Sequence, residues 1–262
     1  MENGIVERIK KIAFIKIYDV WFDEEAYQNS TYAITALHTN ERHRNKDYTF
    51  EQKTKTFLLD ISMPEEEIFS KFEYKSARYA INKAIKDGVE VFKVASKEEK
   101  QQYLSFQKQF CAEKGIPCLE ESELDYLTVY YALSKEKEYL GACAFLESTD
   151  GKTVRYKYGA TLHKLNANEI ILWEAIKEYH KKGICFFDFG GCIPTENKQS
   201  YYYRHYHFKK KFGGELIDTY TYYRIKGLYK VFYGFFTIFV SIFFKGDVNG
   251  FTNWLYEKKL LH

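Results

Sequence analysis

Ile184 to Phe187 is a short apolar run closed by Asp188 and by the pair Gly190 and Gly191. That is how a buried strand ends at the edge of a sheet. The chain must then turn sharply. Beyond Pro194 a polar link leads into Y-Y-Y-R-H-Y-H-F-K-K-K-F at 201–212, an aromatic and basic element followed by Gly213 and Gly214. Paired glycines of this kind are expected just past a helix C-terminus. A strand ending in Asp-Phe-Gly-Gly, facing a helix that ends in Phe-Lys-Lys-Lys-Phe, brings backbone groups and cations together as a polar ligand requires.

The elements leading to this stretch can be read in order. Ile12–Tyr18 and Ala33–Leu37 are short strand candidates, and His38–Lys55, rich in charge and poor in apolar residues, reads as a solvated loop. The spacing of His38 and His43 does not suit one helical face, so a metal site there is disfavoured. Thr56–Ile61 reads as a strand. Pro64 with Glu65, Glu66 and Glu67 starts a helix, since proline suits the first turn and carboxylates suit the positive end of the dipole. Phe69, Phe72, Ala77, Ala80, Ile81, Ala84 and Ile85 give it one apolar face, and Gly88 stops it. Arg78, Lys83 and Lys86 share the other face, either as a solvated basic surface or as contacts to a phosphate-bearing substrate. Val89–Val94 follows as a strand, Lys97–Lys114 as a helix, and Glu123–Leu133 as a third helix. Tyr139–Glu147 and Thr153–Leu162 form a hairpin about a Thr-Asp-Gly turn. Asn166 or Asn168 caps a helix to His180 with Trp173 in the core, and Glu215–Tyr223 is a last strand. Two antiparallel strands, a crossover helix, a parallel strand, a helix and a final strand make an α/β sandwich with a mixed sheet.

Totals exclude several classes. A formal charge of only +3 over 262 residues gives no field for tight nucleic-acid binding, though local patches could act. Five cysteines without a C-x-x-C pair suggest reduced cytosolic thiols and speak against zinc. The first eleven residues carry no continuous hydrophobic core, so a secretory signal is not expected.

Four blocks carry a resemblance: K-S-A-R-Y-A-I-N-K-A-I-K-D-G-V-E-V at 75–91, N-E-I-I-L-W-E-A-I at 168–176, F-D-F-G-G at 187–191 and F-K-K-K-F-G-G at 208–214. Together they resemble the Fem-type peptidyltransferase signature, over roughly residues 56–225. The resemblance implies an acetyltransferase-like (GNAT) α/β fold, a mixed sheet with splayed central strands preceded by a trimmed, related N-terminal domain. The expected division is 1–94 for that truncated domain, 95–225 for the catalytic domain and 226–262 for a hydrophobic helical extension. It also implies transfer of an aminoacyl or other acyl group to an amine of a cell-envelope precursor, a peptidoglycan or surface-polysaccharide intermediate, nucleotide-linked or lipid-linked. No cofactor is expected to stay bound. The donor would be an aminoacyl-tRNA engaged by its acceptor end, with acyl-CoA less favoured because the junction after the second hairpin strand, Gly-Ala-Thr-Leu-His-Lys-Leu-Asn, lacks the glycine-rich pyrophosphate cradle. The chain is short for the family, and no long paired heptad stretch offers the helical arm that some members turn toward tRNA. A reading from another class is a catalytically idle homologue that binds an envelope glycan or protein.

Acyl transfer to an amine passes through an oxyanion and must shed a proton. The family pattern Phe-Lys-x-x-Phe-Gly places Lys209 at the transition state; the alternative is a solvated lysine run at a helix end. Asp188 either steers the amine and takes its proton or caps the loop after its strand. Gly190 and Gly191 offer backbone to the substrate. Tyr203, Arg204, Tyr206 and Phe208 either line the acceptor pocket or pack the core. Leu228–Phe244 is strongly apolar, and either closes the core as a buried helix or lies on a membrane, with Lys226, Lys230 and Lys245 near anionic headgroups at the inner face of the plasma membrane.

Overall fold

The computed structural model describes residues 7–12, 15–42, 47–116, 118–119, 121–162, 164–200 and 202–235. Ten strands join in one mixed sheet, in the order β1-β2-β3-β10-β4-β9-β8-β7-β6-β5. They are β1 (Glu7–Ile12), β2 (Ile15–Trp21), β3 (Ile34–Thr39), β4 (Phe50–Asp60), β5 (Glu90–Lys93), β6 (Leu127–Leu133), β7 (Tyr139–Glu147), β8 (Thr153–Thr161), β9 (Phe186–Cys192) and β10 (Glu215–Ile225). Only β2–β3 and β8–β9 are parallel pairs. The architecture is thus a mixed α/β sheet, as expected. The sequence division at residue 94 does not coincide with a break in the sheet among the described residues: β4 lies between β9 and β10, and β5 lies on the edge beside β6.

Local chemistry explains the helices, beginning with α1 (Glu24–Asn29), where the Asp23 side chain accepts from Ala26 N at 2.9 Å. In α4 (Lys97–Lys114) the Ser96 hydroxyl accepts from Glu99 N while the Glu99 carboxylate accepts from Ser96 N, and Gly115 closes the helix at φ +63°. The expected single helix after Pro64 is instead three pieces: α2 (Glu65–Lys71), a π-turn (Tyr74–Arg78) and α3 (Tyr79–Lys86). The π-turn adds about one residue to a turn and so shifts the apolar register. Ala77, Ala80, Ile81 and Ala84 stay buried, whereas Ile85, expected to face inward, is 55% exposed.

Three other expectations are corrected. Glu123–Leu133 is not a helix but a 3₁₀ turn (Glu121–Asp125) followed by β6, because Leu127-Thr-Val-Tyr-Tyr-Ala-Leu pairs with both β5 and β7 and buries Leu127, Val129, Tyr130 and Ala132. The loop assigned to 38–55 is shorter, since β3 reaches Thr39 and β4 begins at Phe50 on the ladder offered by β10. β9 likewise continues through Asp188 to Cys192, because β4 pairs with it as far as Lys55–Cys192.

Apolar side chains fill both faces. On one, α3 and α5 (Ala167–Lys181) cover β4–β9 through Ile81, Ala84, Ile171, Trp173, Ile176, Tyr179, Phe145 and Phe187. Trp173 is in this core, against Phe69 and Phe72. On the other, Tyr103 and Leu104 of α4 join Val129, Ala142, Ala144, Leu146 and, from β2, Trp21.

Candidate active site

β8 and β9 run together for only three residues, Thr153–Arg155 against Phe186–Asp188. Beyond that point β8 stays with β7 and β9 stays with β4, so the strands part and leave a notch. The last paired residues are also an ion pair: Arg155 Nη1 lies 2.8 Å from Asp188 Oδ2, with the Arg155 side chain 12% and the Asp188 side chain 0% exposed. A fully buried carboxylate is tolerable only when its oxygens are satisfied. Here Oδ1 accepts from Gly190 N at 2.7 Å and from the Thr56 hydroxyl, while Oδ2 accepts from Arg155 and from Asn40 Nδ2 at 3.2 Å.

Past this pin the chain has to pass close to β8. Gly190 adopts φ +79°, and a Cβ there would lie 2.8 Å from the Tyr156 carbonyl oxygen and 3.4 Å from Lys209 Nζ. Only glycine meets both demands. Lys209 reaches the same place from α6 (Tyr203–Lys210), donating to the Gly190 carbonyl at 3.1 Å and the Gly191 carbonyl at 2.7 Å. Two of its three N–H donors are thereby engaged among the described residues. Burial, aided by the Arg155 charge, lowers the Lys209 ammonium from 10.5 to about 8.

The α6 end is held rigidly. Phe212, fully buried, stacks on Phe189 at 5.0 Å and meets Phe72 and Phe208 edge-on. Gly213, at φ +73°, sits where a Cβ would come 2.1 Å from the Lys71 carbonyl oxygen. Lys211 pairs with Glu169 at 2.6 Å, both side chains largely buried, and Glu73 N donates to Lys211 O at 2.8 Å. The first lysine of the Lys-Lys-Lys run enters the notch, and the third braces α6 against α5.

The structure therefore brings Lys209, Asp188, Gly190 and Gly191 together. The other sequence candidates lie elsewhere. Tyr206 is buried against Phe57 at 5.5 Å, and Phe208 packs on the same core. Tyr203 rests on His207, and Arg204 is exposed. Lys83 is exposed and paired with Asp87, while Arg78 lies on the Tyr74 ring at 5.0 Å within the π-turn. His38 is stacked on Trp21 at 3.9 Å and bonded to Thr221 and Asp19; His43 lies outside the described residues. Among the described residues no group of three or more His, Cys, Asp or Glu could hold a metal ion.

Arg155, Thr56 and Asn40 were missed. Arg155 had only an ambiguous signal, because Arg155 and Lys157 alternate in T-V-R-Y-K-Y-G as they would on a strand with one solvated face. Thr56 and Asn40 had none, because they meet Asp188 only through the pairing of β4 with β9 and the position of the loop after β3.

No family model matches the sequence, and no curated protein matches it. Solved structures do. FemX superposes with a TM-score of 0.59 at 13% identity, over 82% of this chain and 83% of that one. L-PGS from Bacillus licheniformis gives 0.58 at 12% identity, over 86% and 82%. The C-terminal domain of a lysylphosphatidylglycerol synthetase homologue from Agrobacterium fabrum gives 0.53 at 12%, over the same shares. The chain has the fold that these structures share, as the Fem-type resemblance implied.

Proposed function

We propose that the protein is an N-acyltransferase whose reaction takes place in the notch between β8 and β9. The observation that carries this reading is the Lys209 ammonium, fixed by the Gly190 and Gly191 carbonyls where the strands part. In the proposed reaction an amine attacks the carbonyl carbon of an acyl donor. A C–N bond forms, the carbonyl oxygen becomes an oxyanion, and the bond from carbon to the donor's leaving oxygen or sulfur then breaks. The departing alkoxide or thiolate takes up the proton released by the amine. Lys209 supplies its third N–H and its charge to the oxyanion, in a partly buried site where both count for more than in water. Asp188 positions rather than abstracts, since each of its oxygens already accepts two hydrogen bonds.

For the donor we propose an aminoacyl group on tRNA, and for the acceptor an amine on a nucleotide-linked or lipid-linked cell-envelope precursor, handled in the cytoplasm. The likeness to FemX and to lysylphosphatidylglycerol synthetases supports this choice. Acyl-CoA is the competing donor. No resident cofactor enters the proposal.

The test offers aminoacyl-tRNA, acyl-CoA and acyl carrier protein in turn to the folded protein, with nucleotide-linked and lipid-linked amines as acceptors and mass spectrometry as readout. Acyl transfer from one donor, lost in Lys209→Met, is expected. Absence of product with every donor would leave the non-catalytic binding reading.

A further inference from the structure

Helical residues 228–235 follow β10 after a short turn. One side of this helix is tied down. Tyr233 stacks on Phe50 at 5.2 Å, Phe50 stacks on Tyr223 at 4.4 Å, and Lys226 donates from its backbone to Ala33 O and from Nζ to Ser30 O. The other side is bare: Leu228 is 67%, Val231 54%, Phe232 61% and Phe235 67% exposed. These four recur at i, i+3, i+4 and i+7, the spacing of a single apolar stripe, which on a helix ordinarily faces a core. A contiguous exposed patch of this kind marks a docking surface.

We infer that this stripe docks the protein in the plane of an anionic lipid surface. Lys226 is held by Ser30, but Lys230 is exposed and the segment from Lys226 to Phe235 carries no acidic residue, which suits negative headgroups. A second copy of the chain fits less well, because four side chains on two helical turns cover a few hundred Å², well short of the ~1,000 Å² that a stable protein interface needs. An interfacial helix needs only the apolar stripe and a positive flank. Among the described residues no helix is long and apolar enough to cross a membrane. The inference is independent of the acyl-transfer reading, since none of these residues touches the notch.

The experiment sediments the full chain with vesicles of equal parts phosphatidylglycerol and phosphatidylcholine, and separately with phosphatidylcholine alone. Wild type should pellet with the anionic vesicles. Phe232→Asp combined with Phe235→Asp should weaken binding at least about tenfold, since it removes two large apolar side chains from the lipid contact. Ile85→Asp, a charge added at an exposed apolar residue on α3, should bind as wild type does, and circular dichroism melts should show all variants folded. Wild type left in the supernatant, equal binding by the double variant, or a dimer that the double variant abolishes without any vesicle binding would each overturn the inference.

Discussion

Replacing Lys209 by Met separates chemistry from stability. Lowering an ammonium from 10.5 to about 8 corresponds to roughly 3 kcal/mol of disfavour for the charged form in the folded protein. Methionine keeps the length of the side chain and removes that cost. It also strips the Gly190 and Gly191 carbonyls of a donor, a loss of about 1 kcal/mol each. The balance leaves the variant as stable as wild type at pH 7 or more stable by about 1 kcal/mol, so thermal melts should not fall. Because the Lys209 pKa is depressed on folding, the wild-type handicap is full below pH 8 and disappears as pH rises toward 10.5, so the two melting curves should cross, with wild type the more stable by about 2 kcal/mol at the alkaline end. Activity should behave differently. Loss of one oxyanion donor costs about 10²–10³ in kcat, and wild-type turnover should itself decline as pH rises through about 8, where Lys209 gives up its proton. The assay is acyl transfer followed by mass spectrometry across pH 6 to 9.5. A folded Lys209→Met protein with turnover within a few fold of wild type would refute the assignment. Wild-type turnover that rises through pH 8 would refute the cationic role and make Lys209 a base.

Arg155→Gln should destabilise the protein by about 3–5 kcal/mol, because it leaves Asp188 buried and without its cation; urea unfolding measures this, and the same change should raise the Lys209 pKa by removing a repelling charge. Gly190→Ala should abolish transfer and cost about 1–3 kcal/mol, since the added carbon meets the Tyr156 carbonyl oxygen at a positive φ. His38 is held neutral by burial, with a pKa lowered from 6.5 to about 4 despite Asp19. Its contribution is complete above pH 6.5 and is lost as pH falls toward 4, which amounts to about 2 kcal/mol by pH 5. A His38→Phe variant should therefore show a flatter decline in melting temperature between pH 6.5 and 5 than wild type does.

What the sequence disclosed followed the range of the interaction involved. The α4 boundaries, the hairpin of β7 and β8, and the α5–β9 crossover are set by the α4 caps, by turns and by apolar spacing within a few residues, and were legible, except that Asn166 stands at the start of α5 without a side-chain cap and Asn168 turns its side chain to Cys143 and Tyr156. β6 was read as a helix because Leu127, Tyr130, Tyr131 and Leu133 satisfy helical spacing about as well as strand alternation, and the two ladders that decide the matter lie in β5 and β7. The early part of β4 was read as solvated loop because Glu51, Gln52, Lys53 and Lys55 are polar, on a strand held by β10, some 160 residues away in sequence. Lys209, Gly190 and Gly191 were found together because they belong to one supersecondary unit. The partners of Asp188 were not, because Thr56, Asn40 and Arg155 arrive from three separate strands or loops.

The site residues share one physical origin. Parting two parallel strands removes the ladder partners of backbone groups on both, and buried groups of that kind must be satisfied some other way. On β9, Asp188 takes the Gly190 N–H, and Lys209 takes the Gly190 and Gly191 carbonyls. Asp188 is a charge at zero exposure and so requires Arg155, which stands opposite it as the last paired residue of β8. Gly190 is needed because the chain must then pass the Tyr156 carbonyl at close range. The motif Phe-Asp-Phe-Gly-Gly with its distant lysine satisfies the backbone groups that the fork exposes, and an ammonium recruited to two carbonyls keeps one N–H without a partner among the described residues. Catalysis of acyl transfer asks only that the entering group be a carbonyl about to become an oxyanion.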